Sequence, residues 1–169
     1  MSLTYAYYPG CSLEASAVDY NMSVKAVFEK LGIELREIPD WNCCGASSGF
    51  VVDPKVATAW CARNLAWAEK EGLDVIIPCT GCLKNMNKAL HKIQDDPELK
   101  KEVSDAIGAP IEGTVRCLHP LEALVVDFGL DRIKEGDWDM VLLTHLEDTE
   151  EDIKTLLQNG VEQDRIATL

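Results

Sequence analysis

The residues that could carry chemistry are cysteines, seven in all: Cys11, the adjacent pair Cys43 and Cys44, the pair in Cys79-Thr80-Gly81-Cys82, and the isolated Cys61 and Cys117. Between Cys11 and Cys43 lie 31 residues, between Cys44 and Cys79 lie 34, and between Cys79 and Cys82 lie two. A Cys-x-x-Cys at the mouth of a helix sets two thiolates about one turn apart, close enough to share a metal centre. The helix N-terminus lowers their pKa and offers N–H groups to anionic sulfur. Cys43 and Cys44 supply two side chains that diverge from neighbouring positions, and Gly45 lets the backbone turn tightly beside them. Cys11 follows Gly10 at another turn. An odd count with uneven spacing, behind no export signal, does not describe a disulfide scaffold. It describes metal or redox chemistry.

An ordinary iron–sulfur cubane takes four thiolates, and so does tetrahedral zinc. Five converging cysteines are one too many for either, so the fifth is a spare or the sign of a different cluster. Four readings stand at this point: an iron–sulfur cluster, zinc held by four of the five, an apo redox dithiol, and thiols that merely pack. The other candidates read more plainly. Cys61 sits on an apolar helical face beside Trp60 and Leu65, as a core residue does. Cys117 reads as structural, although its neighbour His119 leaves a metal role open. His119, before Pro120, reads as a cap or packing residue, His91 as solvent-exposed in a polar helix, and His145 carries no second signal. Tyr7, Tyr8 and Trp41 flank the cysteines and would wall them from water or simply pack. Lys84 is a candidate positive charge near the site, with surface solvation the plainer role.

The elements that must position these residues follow a regular rhythm. Thr4 to Tyr8 reads as a strand ending at Pro9-Gly10, and Leu13 to Leu31 as a helix with Ala17, Val18, Met22, Val24, Val27, Phe28 and Leu31 at helical spacing, stopped by Gly32. Ile33 to Ile38 alternates like a strand, and a Cys-, Gly-, Ser- and Asn-rich loop follows over Pro39 to Gly49. A helix from Pro54 to Glu71 presents Val56, Ala57, Trp60, Cys61, Leu65 and Ala68 on one face. Leu73 to Pro78 is a continuous apolar strand of the buried parallel kind. Helices follow Cys79 and span Pro97 to Ile107.

Alternating strands and helices predict an α/β fold of the Rossmann-like or flavodoxin-like kind, a parallel sheet with helices on both faces. Ligands in such sheets bind beyond the carboxyl ends of the strands. Cys11 and Cys79 each follow a strand directly, and the Cys43-Cys44 loop follows a third. All five cysteines are therefore expected at one sheet edge. Beyond Gly108 the character changes, which suggests a domain over 1–108 and an extension over 109–169. In the extension, Ile111 to Leu118 reads as a strand, Leu121 to Phe128 as a helix, Asp139 to His145 as a strand and Thr149 to Gln158 as a helix. The acidic stretch Glu147 to Asp152 reads as a solvated helix start.

Composition excludes several partners. The 29 acidic against 16 basic residues give a net charge of −13, which argues against nucleic acid and against an anionic membrane. No apolar stretch approaches the roughly 20 residues of a membrane-spanning helix. The N-terminus lacks the basic and apolar regions of a secretory signal, so the cytoplasm is the default expectation.

Three pieces, Tyr8-Pro9-Gly10-Cys11-Ser12-Leu13, Asn42-Cys43-Cys44-Gly45-Ala46 and Pro78-Cys79-Thr80-Gly81-Cys82, resemble the cysteine-rich CCG domain found in the B subunit of heterodisulfide reductase. The resemblance is close over residues 4–95 and weaker from Arg116 to Ile133, which looks like the family's connector between two such domains. It implies that Cys11, Cys43, Cys44, Cys79 and Cys82 hold a non-cubane [4Fe–4S] cluster. It also implies partner subunits carrying iron–sulfur and flavin centres, and a disulfide substrate cleaved between two facing clusters. Here Cys117 is the only cysteine after Cys82, and Gly136 to Leu169 stands where a second domain is expected. Either the chain is truncated or it is a single-domain relative. An isolated monomer is accordingly expected not to turn over a heterodisulfide, activity requiring a homodimer or another CCG-bearing partner.

Overall fold

The computed structural model describes residues 3–135, 141–143 and 166–168. Four short strands, β1 (Thr4–Tyr7), β2 (Glu34–Glu37), β3 (Val75–Ile76) and β4 (Cys117–Leu118), form a parallel sheet in the order β2-β1-β3-β4. This is the flavodoxin-like order, whose switch point lies between β1 and β3. The register aligns Tyr7 with Glu37 and with Ile76, and Ile76 with Leu118. The four strands therefore end level, and the segments that follow them leave from one edge.

Strand periodicity sorts the side chains onto two faces. Tyr7 turns to one face, where its hydroxyl donates to Asn21 Oδ1 at 2.7 Å in α2 (Val18–Lys30). Ala6, Tyr8, Val75 and Ile77 turn to the other and pack with α4 (Pro54–Glu71), α5 (Thr80–Asp95) and α6 (Pro97–Ile107) in one apolar core. Helices thus cover both faces. The long helices start and stop where local chemistry dictates. Asp53 accepts from the N–H groups of Lys55 and Val56 and Pro54 opens α4, while Asp96 and Pro97 repeat the device for α6. Gly72 and Gly108 end these two helices. Among the described residues, no helix is long and apolar enough to cross a membrane.

Several elements differ from the sequence expectations. The first helix is two, α1 (Gly10–Ala15) and α2, because Ala17 leaves helical geometry with φ −127°. Val18, Met22 and Val27 are exposed, whereas Val24 and Phe28 are buried as expected, together with Ser23. Trp60 and Val56 are half-open on α4, whereas Ala57, Cys61, Leu65 and Ala68 are buried as expected. Within the Cys-rich region a one-turn helix, α3 (Gly49–Val52), precedes α4. Only Cys117 and Leu118 of the segment from Ile111 pair in the sheet. The next segment begins as α7 (Pro120–Glu122) and widens to a π-helix over Ala123–Gly129.

The first compact unit extends to Asp127, and a second comprises Phe128–Leu169. The second contains α8 (Leu130–Glu135) and a parallel pair, β5 (Val141–Leu143) with β6 (Ile166–Thr168). Here the Arg132 guanidinium lies over the Phe128 ring at 4.0 Å. The expected strand at Asp139 to His145 contains β5. The expected helix at Thr149 to Gln158, the acidic stretch Glu147 to Asp152 and His145 lie outside the described residues.

The end of the sheet away from the cysteines is tied by charge. Arg116, just before β4, donates to Asp74 Oδ2 from Nε and to Asp127 Oδ2 from a terminal nitrogen, both at 2.8 Å. Tyr5 in β1 adds a hydroxyl to Asp127 Oδ2 at 2.8 Å. The Arg116 guanidinium, aided by that hydroxyl, holds the Asp127 carboxyl below its ordinary pKa. A folded-state pKa lower than the unfolded one means the stabilisation is complete above the ordinary carboxylate value, about 3.9, and is lost as pH falls through the lower folded value. Asp127→Asn is therefore expected to cost about 1–2 kcal/mol at neutral pH, at the lower end for a charged hydrogen bond because Arg116 is half-exposed. In urea titrations across pH, the gap between variant and parent should hold down to about pH 4 and close below it.

Candidate sulfur site

Each cysteine is placed by the backbone leaving the level strand ends. Gly10, at φ +72°, turns the chain after β1 so that Cys11 opens α1. The turn leaves no room for a side chain: a Cβ on Gly10 would stand 3.1 Å from Tyr8 Cε1 and 3.2 Å from Cys82 Sγ. Cys79 caps α5 with extended backbone, and Cys82 lies one turn in, buried. Cys43 and Cys44 sit in the loop between β2 and α3. There Gly45 takes φ +87° and Ala46, unusually for alanine, φ +48°.

That loop is held by amides that the sequence pattern alone did not single out. Asn64, 1% exposed on α4, accepts from the Asn42 N–H at 3.0 Å and donates to the Asn42 carbonyl at 2.9 Å. Tyr8 donates its hydroxyl to the same carbonyl at 2.9 Å and meets Trp41 edge-on at 5.4 Å. From α5, Asn85 reaches across to the carbonyls of Cys44 and Ala46. Arg63 donates to the Asp40 carbonyl at 2.6 Å and also pairs with its carboxylate. Two signals were present: Asn64 interrupts an apolar helical face, and Asn85 follows Cys82 by three positions, on the same side of the helix.

The five sulfurs come together. Cys44 Sγ contacts Cys82 Sγ at 3.3 Å, with Cys11 beside Cys43, Cys43 beside Cys44 and Cys79 beside Cys82. They form one continuous string from three loops. Cys44 and Cys82 are buried, Cys79 is half-buried, and Cys11 and Cys43 are exposed, so the string runs from the core to solvent.

The thiols are strongly unequal. The close contact with Cys82 pulls the Cys44 pKa down to about 6 against the opposing effect of burial. The same contact, with burial, pushes Cys82 up. Burial opposes ionisation of Cys79, but the Cys82 backbone N–H and the Ser12 hydroxyl outweigh it, and its pKa falls. Cys11 is raised by burial and by Cys43. Thiols whose pKa is lowered, Cys44 and Cys79, beside others whose pKa is raised make a ready donor set for a cationic centre.

The remaining residues sort as follows. Cys61 is wholly buried, its thiol on the Cys44 carbonyl at 3.6 Å, and burial raises its pKa, as it raises that of Cys117 to about 12. Both are core thiols. His119 caps the short helix after it by accepting from the Leu121 N–H, and Tyr20 lies 3.4 Å from its Nε2. His91 and Lys84 are exposed. Tyr8 lies beside Cys82 with Trp41 edge-on against its ring, whereas Tyr7 points to the opposite face of the sheet.

Residues 5–87 match the family described as CCG, cysteine-rich domain. This part of the chain is a CCG cysteine-rich domain. Among its relatives, a protein of Archaeoglobus profundus described as like the B subunit of heterodisulfide reductase is 33% identical over 139 residues, 78% of this chain and 46% of that protein. The 8-methylmenaquinol:fumarate reductase membrane anchor subunit of Wolinella succinogenes is 43% identical over 89 residues, 53% of this chain and 31% of that protein. The B subunit of the ferredoxin:CoB-CoM heterodisulfide reductase of Methanosarcina mazei is 28% identical, over 75% of this chain and 43% of its own length. The resemblance to heterodisulfide reductase B subunits is thereby shown, although the chain spans less than half the length of these relatives. A hypothetical protein of Helicobacter pylori superposes with a TM-score of 0.65 at 19% identity, covering 72% of this chain and 25% of that one, which speaks for the fold alone.

The Gly10 turn offers a direct check of the packing around Cys82. Gly10→Ala carries the cost of left-handed backbone, about 1–2 kcal/mol, plus displacement of Tyr8 or Cys82. Gly32→Ala has a similar φ of +69° but open space around its Cβ. Urea unfolding of the reduced protein should show Gly10→Ala as clearly the more damaging of the two.

Proposed function

We propose that this chain is an electron-transferring subunit that holds one non-cubane [4Fe–4S] cluster through Cys11, Cys43, Cys44, Cys79 and Cys82 and serves the reduction of a disulfide. The observation that carries this reading is the continuous string of five sulfurs at the switch-point edge. Among the described residues, no group of three or more His, Cys, Asp or Glu is gathered around a single ion position. Five thiols are one more than tetrahedral zinc or an ordinary cubane takes, which favours the cluster that the family resemblance implies. When bound, such a cluster supplies electrons and iron able to accept the thiolate released by S–S cleavage.

The chain's own residues contribute placement and access. Buried Tyr8 closes the inner side beside Cys82, and α5 opens at Cys79 with its N-terminus. The side bearing Cys11 and Cys43 is open, and α3, which starts against Gly45, exposes Val51 and Val52. A substrate disulfide would enter from this side. Full reduction of one disulfide consumes two electrons and two protons and yields two thiols. Electrons would come from partner subunits with ordinary iron–sulfur or flavin centres, in the cytoplasm. The second cluster expected across the substrate would come from a homodimer or a CCG-bearing partner, since this chain has cysteines for one.

Anaerobic purification followed by iron, sulfide and zinc analysis tests the reading. Iron with labile sulfide and a visible absorption band is the expected result. Zinc in a colourless protein would replace it with a zinc-stabilised docking domain. In the same preparations, Cys61→Ser should retain iron while costing about 1–3 kcal/mol for the buried hydroxyl, and Cys44→Ser should lose it.

A further inference from the structure

We propose that Asn85 is a positioning residue of the sulfur site: through its side-chain amide it fixes the Cys44 loop and withdraws electron density from the Cys44 sulfur, raising the reduction potential of the centre held there. The proposal rests on the cluster reading above. Asn85 is 8% exposed, and its Nδ2 lies 2.7 Å from the Ala46 carbonyl oxygen, 3.3 Å from the Cys44 carbonyl oxygen and 3.5 Å from Cys44 Sγ. The two oxygens are pure acceptors, so the nitrogen and not the oxygen of the amide must face the loop. Two amide protons then serve three acceptors. The carbonyls locate the amide, and the sulfur receives the remaining share.

The backbone is shaped for this contact. Successive left-handed residues, Gly45 and Ala46, turn the carbonyls on either side of Gly45 toward α5. That conformation is unfavourable for an alanine such as Ala46, and the short bond to its carbonyl offsets the strain. Asn85 also sits one turn after Cys82, whose sulfur touches Cys44. One helix face thus carries both a sulfur of the site and the donor to its neighbour. A donor N–H beside a coordinating thiolate stabilises the more electron-rich state of the centre, and this lifts its potential.

The test is a redox titration of the anaerobically prepared full chain, parent against Asn85→Leu and Asn85→Ala, with iron and sulfide content measured on each. Both variants lack the donor; Leu keeps the volume, and Ala serves where Leu does not load. Iron content near the parent's with a downward midpoint shift is expected. A tenfold smaller reduced-to-oxidised ratio at fixed potential would be about 59 mV for a one-electron couple. An unchanged or raised midpoint in an iron-loaded variant overturns the role of Asn85 and leaves the cluster reading intact. Loss of iron from both variants shows that Asn85 is needed for assembly and overturns the tuning role. A parent that takes up no iron overturns both proposals.

Discussion

Everything at the sulfur site depends on the parallel register that brings four strands to a common end. Tyr7 stands level with Glu37 and Ile76, and Ile76 with Leu118, so the backbone beyond each strand emerges at one edge. Antiparallel pairing of any of the three cysteine-bearing connections would send its thiols to the far side of the molecule. The register is secured by burial on two faces, since a one-residue slip of β1 would exchange Tyr7 for Tyr8 and empty both cores. Short β1, β3 and β4 make few backbone bonds, but their side chains are almost all buried, whereas those of the edge strand β2 are mostly exposed.

The two ends of the sheet solve opposite electrostatic problems. At the starting end, Arg116 neutralises Asp74 and Asp127, and a tyrosine hydroxyl completes the set. At the finishing end the cations pair with carboxylates, Arg63 with Asp40 and Lys25 with Glu37. Negative charge on sulfur is met there by N–H groups, from the opening turn of α5 and from Asn85, and by the close contact between Cys44 and Cys82. Dipoles in place of fixed cations leave the sulfurs free to bind a positively charged centre, which would otherwise meet repulsion.

The loop that carries Cys43 and Cys44 shows how the rest is held. It makes no ladder bonds, so its buried polar groups must be satisfied individually. Asn64 and Tyr8 take the Asn42 peptide, Asn85 takes the next carbonyls, and the Trp60 ring closes against Gly45. These contacts come from α4, α5 and β1, the same elements that form the core.

Local chemistry in the sequence determined much of this protein. The alternation of strand and helix, the Asp-Pro starts and Gly ends of α4 and α6, and the position of the cysteines after strands are all short-range features, readable because they depend on neighbours. The same is true of Cys61, whose place on an apolar helical face predicted a core thiol. What only the tertiary structure decided depends on residues distant in the chain. Helix periodicity alone could not tell that α2 buries Val24 and Phe28 but leaves Met22 in solvent, because the sheet's position selects the face. Nor could composition show that Tyr7 and Tyr8, adjacent in sequence, serve opposite cores. Asn64 and Asn85 look like ordinary helical polar residues until the loop folds over them. An amide becomes part of a site only when a distant backbone supplies the carbonyls it must satisfy.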